Sequence, residues 1–343
     1  MKDISLSICI PTYNRADILV KSIFKILQCD KENIEIVVLD NGSTDNTLEL
    51  LSQIDDSRLS IYKNGENNGF LYNILNVLDK AKGEFLIFST DKDEINFKEI
   101  KKFIDFLSLH NNIAGGYCDH TSGKVGFEIF RSGINAISKI AYQSHHPTGY
   151  FFKNNLLKQL DITKRFSDPD VVDMFPFEFI FAELCSLGDG AIYSSQIIST
   201  ESLDNAAKQK SYGTKKNTKE IFFFPSSRLK LTINFIRHVN SLSLKKNEKF
   251  NLISGIFLRG LKLSTFEYRR IMKNPDLCSH YYIQTKTVGR FELIKIALSF
   301  YIGFSSNLFK IMPDYKSSHL IFNAELFSAF LRKKFPKFLR GMV

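Results

Sequence analysis

The chain has 343 residues, of which 44% are hydrophobic and 24% are charged, a composition typical of globular proteins with a sizeable core. Its net charge is +10, and its five cysteines are odd in number, scattered and never spaced as C-x-x-C, which argues against a disulfide scaffold or a zinc knuckle. This cysteine usage is typical of a reducing cytosol, and we expect no signal peptide before the first strand.

Strand-like and helix-like patterns alternate over the first 115 residues. Each predicted strand is a short run of β-branched or aromatic residues bounded by turn residues, and these runs lie at 5–10, 34–39, 59–62 and 84–89. Between them, apolar residues recur at helical spacing over 16–28, 45–54 and 70–81. The alternation predicts parallel strands joined by right-handed crossovers.

The pattern changes after an amphipathic helix predicted at 97–109. The elements predicted next are shorter, with strands at 113–118, 124–130, 149–152 and 191–198 and a helix near 177–187. We therefore predict an amino-terminal α/β domain, a polar mobile loop or linker rich in lysine, and a basic helical region. Their predicted bounds are 1–204 (in two halves, 1–115 and 116–204), 205–219 and 220–343.

Three strand-like runs end in polar loops that hold carboxylates or expose the backbone. They are residues 8–15, 37–45 and 85–94. Loops at the carboxyl ends of strands in an open α/β sheet converge on one crevice, where ligands bind. Asp40, Asp91 and Asp93 are therefore expected along one edge of the sheet although they are distant in sequence.

These carboxylates suit a nucleotide-sugar site. Asp40 could accept hydrogen bonds from a uracil N–H or from ribose hydroxyls. Asp91 and Asp93 could together hold a hard divalent cation, since such cations take one or two carboxylates plus substrate phosphates. A cation there stabilises the negative charge that develops on a leaving diphosphate.

Five motifs, in matching order and spacing, resemble the glycosyltransferases of family 2, which have the GT-A fold. They are C-I-P-T-Y-N-R at 9–15, V-V-L-D-N-G-S-T-D-N-T at 37–47, N-N-G at 67–69 followed by Asn73, A-K-G-E at 81–84 and D-K-D at 91–93. The resemblance covers residues 4–100, approximately. It implies a Rossmann-like nucleotide-binding sheet, followed in this chain by an α-helical carboxyl-terminal region.

The resemblance also implies roles for the residues at matching positions. Asp93 is the expected main ligand of Mn²⁺ or Mg²⁺, with Asp91 beside it. Lys92 stands between the two aspartates, where the family usually has consecutive acidic residues. The residues expected to bind the nucleotide sugar are Pro11, Thr12, Tyr13, Arg15, Asp40, Asn68 and Asp91.

The catalytic base is expected in the second half of the domain, where the family has an acidic residue opening a helix that ends in a glycine before a strand. Residues 176–193 have this shape, so Glu178 is the predicted base and Asp173 the alternative. A glutamate at a helix start can equally serve only to complement the helix dipole. His145 and His146 precede an aromatic strand and are expected in the acceptor or diphosphate pocket.

The resemblance implies an inverting, metal-dependent enzyme that transfers a hexose from a nucleotide-diphosphate sugar, foremost a UDP-sugar, to a glycan hydroxyl. A lipid-linked acceptor and a role in O-antigen or capsule synthesis are expected. Processive members carry a Q-x-x-R-W signature, and this chain has no tryptophan, so we expect the addition of one sugar. The alternative is a non-catalytic protein that binds a nucleotide sugar or a membrane surface. Nucleic acid is not an expected partner, because no recognised nucleic-acid-binding motif is present.

Basic residues are concentrated in the second part of the chain. Residues 221–343 carry 21 Lys and Arg against 6 Asp and Glu, a net charge of +15, which leaves −5 for residues 1–220. Helices rich in Phe, Leu, Lys and Arg suit an anionic membrane surface, and Leu331–Arg340 is the best candidate for membrane contact. Phe291–Met312 is too polar for a good spanning helix. We therefore expect a cytoplasmic protein, peripheral on the inner face of the cell membrane.

Overall fold

The computed structural model describes residues 4–199 and 221–313. The linker predicted at 205–219 and the membrane-contact segment predicted at 331–340 lie outside these residues. The chain divides into two compact units, Met1–Ser211 and Tyr212–Val343.

The amino-terminal unit is built on a mixed eight-stranded sheet with the strand order β3-β2-β1-β4-β8-β6-β9-β7, and β5 and β10 form a second, two-stranded sheet. The strands are β1 Leu6–Thr12, β2 Ile34–Asp40, β3 Leu59–Lys63, β4 Phe85–Phe88, β5 Glu94–Ile95, β6 Ile113–Asp119, β7 Gly126–Phe130, β8 Tyr150–Lys153, β9 Asp189–Ser194 and β10 Ile198–Ser199. Strands β3, β2, β1 and β4 are parallel, whereas β8 runs antiparallel to both β4 and β6.

Nine helices are described in this unit. They are α1 Ala16–Leu27, α2 Thr47–Ser52, α3 Phe70–Asp79, α4 Phe97–Leu109, α5 Ile134–Ile140, α6 Asn154–Gln159, α7 Ile162–Arg165, α8 Pro169–Val172 and α9 Pro176–Leu184. Every residue of β1 and β2 is buried, as expected for parallel strands covered on both faces. Ile23 on α1 and Phe103 on α4 belong to the core. The Phe103 ring meets that of Phe151 edge-on, with the ring centroids 5.2 Å apart.

The parallel strands place the predicted loops at one edge of the sheet. Thr12, the last residue of β1, pairs with Asp40, the last residue of β2. On the other side of β1, Cys9 pairs with Phe88 at the end of β4, immediately before the loop that carries Asp91 and Asp93. The three loops therefore share an edge, as predicted.

All the regular secondary structure described in the carboxyl-terminal unit is helical. Its helices are α10 Pro225–Ser241, α11 Lys246–Lys262, a π-helical turn Leu263–Glu267, α12 Tyr268–Met272, α13 Pro275–His280 and α14 Arg290–Ile311. Helix α10 packs against α11 and α14, and Phe257 on α11 meets Phe304 on α14 with ring centroids 4.6 Å apart. None of the described helices is long and apolar enough to cross a membrane.

The α/β sheet and the helical carboxyl-terminal region agree with the prediction, but two details of the second half differ. The single strand predicted at 191–198 is instead two strands, β9 and β10, which belong to different sheets. The short helices α5 to α8 were not predicted, because four to seven residues span too few turns to establish a helical period.

Candidate active site

The loops after β1 and β2 are joined into one wall by Asn14. Its backbone N–H donates to Ser43 Oγ at 2.8 Å, and its side-chain Oδ1 accepts from the backbone N–H of Thr44 at 2.8 Å. Asn14 has a φ of 53°, in the left-handed region that asparagine tolerates better than most residues. Behind it, the N–H of Arg15 donates to Thr47 Oγ1 at 3.2 Å.

Asp40 is fully buried at the end of β2. Its Oδ2 accepts the backbone N–H of Ser43 at 2.9 Å, and its Oδ1 accepts the Ser43 hydroxyl. The carboxylate therefore shapes the turn that follows β2. Since each carboxylate oxygen has two lone pairs, further acceptor capacity remains for a nucleoside.

Asp91 is brought against two of the predicted nucleotide-binding residues. Thr12 Oγ1 donates to Asp91 Oδ2 at 3.0 Å, and Arg15 Nε lies 3.7 Å from the same oxygen. Burial raises the pKa of Asp91, while Arg15 and, less strongly, Lys92 and the Thr12 hydrogen bond oppose the rise. Thr12, Arg15 and Asp91 thus form one buried polar cluster between β1 and β4.

Asp93 is held both by its own loop and by the second half of the unit. Its Oδ2 accepts the hydroxyl of Thr90 at 2.6 Å and that of Thr148, and His146 Nδ1 lies 3.7 Å from the same oxygen. Oδ1 accepts no hydrogen bond from the part of the chain that the structure describes. Asp93 is therefore buried, fixed through one oxygen, and able to offer the other to a ligand.

These carboxylates fit a divalent cation whose remaining ligands come from the substrate. Among residues 4–199 and 221–313, no three His, Cys, Asp or Glu side chains cluster closely enough to form a metal site by themselves. Mg²⁺ and similar hard cations are commonly held by one or two carboxylates plus substrate phosphates, so no third protein ligand is required. Asp93 Oδ1, which accepts no hydrogen bond from the described residues, could serve as one such oxygen.

His146 stands beside Asp93, with 47% of its side chain exposed. Burial lowers the pKa of His146; Asp93 opposes this, and His120 and Lys92 reinforce it. Its Nδ1 accepts the backbone N–H of Thr148 at 3.3 Å, so the proton of the neutral ring is on Nε2. The ring meets that of His120 edge-on, with centroids 6.4 Å apart. His146 can thus donate from Nε2 to an oxyanion.

Glu178 and Asp173, the two candidate bases, lie in different surroundings. Glu178 is 1% exposed, and its Oε2 and Oε1 accept the backbone N–H groups of Gln143 (2.9 Å) and His145 (3.0 Å). The His145 ring stacks on Tyr117 with centroids 4.3 Å apart. Asp173 follows α8, is partly exposed, and has a φ of 51° and a ψ of −126°, a strained backbone for a residue with a side chain.

The remaining residues predicted to bind the nucleotide sugar lie in β1 and in the loops after β1 and before α3. Pro11 is buried in β1, and Tyr13 is 40% exposed in the loop after it. The backbone N–H of Asn68 donates to Asn41 Oδ1 at 3.1 Å, and its side chain donates to Glu66 O at 3.2 Å.

Three polar residues of the site were not predicted. Thr90 and Thr148 bind Asp93, and Asn41 ties the loop after β2 to the loop before α3. Thr148 was signalled only by its place next to the paired histidines. Asn41 lies inside a motif, but nothing in the sequence shows that its side chain reaches residues 64–69, more than 20 positions away.

Comparison with protein families supports the resemblance. Residues 7–174 match the model of glycosyl transferase family 2. Over that stretch the chain is similar to this family, as the motifs indicated.

Curated relatives come from several bacteria. The chain is 38% identical over 177 residues to the GalNAc(5)-diNAcBac-PP-undecaprenol beta-1,3-glucosyltransferase of Campylobacter jejuni, a match that covers 48% of this chain and 55% of that protein. It is 31% identical over 115 residues to WfaP of Escherichia coli, a UDP-Glc:alpha-D-GlcNAc-diphosphoundecaprenol beta-1,3-glucosyltransferase, covering 31% and 45% of the two chains. The chain thus spans about half the length of these relatives.

Among solved structures, S. aureus TarS 1-349 in complex with UDP-GlcNAc resembles this chain with a TM-score of 0.62. The match covers 98% of this chain and 92% of that one at 15% sequence identity. At this identity the likeness shows the fold alone, and it confirms the GT-A-like architecture.

Proposed function

We propose that this protein is an inverting, metal-dependent glycosyltransferase that moves one hexose from a UDP-sugar to a hydroxyl of a lipid-linked glycan during surface polysaccharide synthesis. The observation that carries the proposal is the site edge, where the Thr12–Arg15–Asp91 cluster adjoins Asp93 with its available Oδ1. The names of the Campylobacter and Escherichia relatives, which act on undecaprenol-linked acceptors, support the acceptor class.

In this proposal the donor lies along the loops after β1, β2 and β4. Asp40, Asn68 and the exposed Tyr13 contact the nucleoside, while Pro11 and the backbone beside it shape the pocket. Thr12 and Arg15 hold Asp91 against the ribose side. The buried ion pair keeps Asp91 oriented without a rearrangement when the donor arrives.

Asp93 and Asp91 would hold Mn²⁺ or Mg²⁺ together with the diphosphate. When bound, the cation supplies positive charge to the departing nucleoside diphosphate. His146 Nε2–H adds a neutral donor for a diphosphate oxygen, because Nδ1 is already engaged by Thr148. His145 contributes through its backbone and its stack on Tyr117 to the wall on the acceptor side.

The catalytic base of the proposed reaction must be a carboxylate that can reach the acceptor hydroxyl. A general base must come within about 2.6–3.2 Å of the proton that it removes. Glu178 is buried with both oxygens bound to backbone N–H groups, whereas Asp173 is partly exposed on a strained turn ahead of α9. We therefore propose Asp173, the alternative from the sequence, as the base that deprotonates the acceptor, and we give Glu178 another role below.

The proposed partner of the carboxyl-terminal unit is an anionic membrane surface. Residues 221–313 carry 15 Lys and Arg against 4 Asp and Glu. On α14, Phe291, Leu298 and Ile302 are exposed along one helical face together with Lys295. Apolar side chains beside cations are typical of helices that lie in the membrane interface. Such binding would make the protein peripheral on the inner membrane face, near a lipid-linked acceptor.

The function is tested by incubating the full chain with Mn²⁺, a panel of UDP-sugars and a diphosphoundecaprenol-linked sugar. We expect one donor to give a product with a single added sugar, and NMR of the anomeric proton to show inversion at the transferred carbon. Asp173→Asn should abolish transfer while UDP binding persists. A retained anomeric configuration, or transfer by Asp173→Asn at the wild-type rate, would contradict the mechanism; no turnover with any donor favours the binding-protein alternative.

A further inference from the structure

The segment from Ala141 to Gly149 crosses the acceptor side of the site in an unusual conformation. Tyr142 and Ser144 have φ values of 60° and 54°, although neither is glycine. Left-handed backbone is unfavourable at such residues and persists only where surrounding contacts hold it. Something must therefore fix this loop.

The carboxylate of Glu178 fixes it from beneath. The N–H groups of Gln143 and His145, on either side of the left-handed Ser144, donate to its two oxygens at 2.9 Å and 3.0 Å. Glu178 lies in the first turn of the nine-residue helix α9, where the helix dipole favours a negative charge. A carboxylate that accepts two backbone N–H groups in a buried site makes strong, charge-assisted hydrogen bonds.

The far end of the same loop reaches Asp93. The Thr148 hydroxyl donates to Asp93 Oδ2 and accepts the backbone N–H of Thr90 at 3.0 Å, so it joins the loop to the end of β4. His146 lies 3.7 Å from the same carboxylate oxygen. These contacts occupy Oδ2 and leave Oδ1 for a ligand.

We propose that Glu178 is a positioning residue: it holds the loop Gln143–Thr148 so that Thr148 and His146 fix Asp93 with Oδ1 directed to the cation and diphosphate. Glu178 itself touches neither the reacting atoms nor the cation. The inference rests on the proposed function for the role of Asp93, but the link from Glu178 to Asp93 is made of contacts that exist without substrate.

The positioning role and a base role predict different effects of Glu178→Gln, which keeps the shape but turns one acceptor into a donor facing a backbone N–H. In the positioning role, the Kd for UDP in the presence of Mn²⁺ rises about tenfold, the usual order for a group that orients a metal ligand. The residual kcat keeps the wild-type pH profile, because the base is still present. In a base role, UDP and Mn²⁺ bind as before and only turnover is lost.

The experiment is calorimetric titration of UDP with Mn²⁺ into full-length wild type, Glu178→Gln, Thr148→Val and the double variant. We expect a higher Kd for UDP in each single variant. In the double variant, the fold-increase in Kd should be well below the product of the two single fold-increases, because both residues act through one loop. Glu183→Gln, also on α9 but paired with Arg165, is the matched control and should bind as wild type.

Hydrogen exchange measured by mass spectrometry on residues 141–149 separates this inference from the proposed function. Faster exchange in Glu178→Gln than in Glu183→Gln supports the loop-holding role even if the wild type binds no UDP, a result that would refute the proposed function alone. If Glu178→Gln does not fold, the Thr148→Val titration decides the link to Asp93. Unchanged exchange, or wild-type UDP binding with lost transfer in Glu178→Gln, overturns the positioning role.

Discussion

Asn41 organises the loop before α3 through a side chain with no spare hydrogen-bonding capacity. Its Nδ2 donates to Asn67 Oδ1 at 2.9 Å and to Gly69 O at 3.2 Å. Its Oδ1 accepts from Asn64 Nδ2 at 3.0 Å and from the N–H of Asn68 at 3.1 Å. The residue is buried, so these four bonds set the conformation of the loop before α3.

Replacing Asn41 by Asp should destabilise the protein by about 2–4 kcal/mol, since two donated bonds are lost and a buried carboxylate oxygen then faces two acceptors. Urea unfolding measures this as a lower midpoint concentration, with an unchanged dependence of the free energy of unfolding on urea concentration. The matched control is Asn135→Asp on the exposed first turn of α5, where we expect a change within about 0.5 kcal/mol. An unchanged midpoint for Asn41→Asp would show that the network carries no stability.

The sequence predicts the residues at the strand ends of the site but not the contacts that hold their side chains. Asp40, Asp91 and Asp93 could be placed together because parallel strands end at one edge. The contact of Thr148 with Asp93 bridges 55 positions, and those of Glu178 with the loop at 143–145 bridge more than 30. Such contacts depend on the antiparallel β8 lying between β4 and β6, which no local pattern reveals.

Helix α14 has apolar residues on both its buried face and its exposed face. Its inner face packs Leu293, Phe300 and Phe304 into the helical core, whereas Phe291 and Ile302 on the outer face are 83% and 64% exposed. The sequence predicted a helical region here, but its apolar residues alone could not show which of them would remain exposed.

We expect the double variant Phe291→Ser/Ile302→Ser to bind vesicles of anionic lipid about tenfold more weakly than the wild type, because two apolar side chains no longer enter the interface. Co-sedimentation of the full chain at low and high salt measures this, and salt should weaken the remaining binding. The control is Leu109→Ser/Val125→Ser, two comparably exposed apolar residues of the amino-terminal unit. Equal binding by the two double variants would refute the proposal that this face of α14 contacts the membrane.

The whole molecule combines an acidic sheet-based unit with a basic helical unit, and the sequence predicts both classes of fold. Charge and periodicity change between the two parts, so the classes of fold followed from composition and pattern. The short helices of the second half, and the division of the last predicted strand between two sheets, could not be predicted, because they depend on packing rather than on period.

The central claim is that Asp93 serves metal-dependent transfer from a nucleotide sugar. The most direct measurement is the rate of sugar transfer by the full chain as a function of Mn²⁺ concentration, for wild type, Asp93→Asn and the control Asp105→Asn on the exposed face of α4.

We predict that wild type and Asp105→Asn depend on Mn²⁺ alike, and that Asp93→Asn loses at least about 100-fold in rate, the order expected when a cation that stabilises the leaving diphosphate is displaced. Full activity without a divalent cation, or wild-type turnover by Asp93→Asn, would contradict the account.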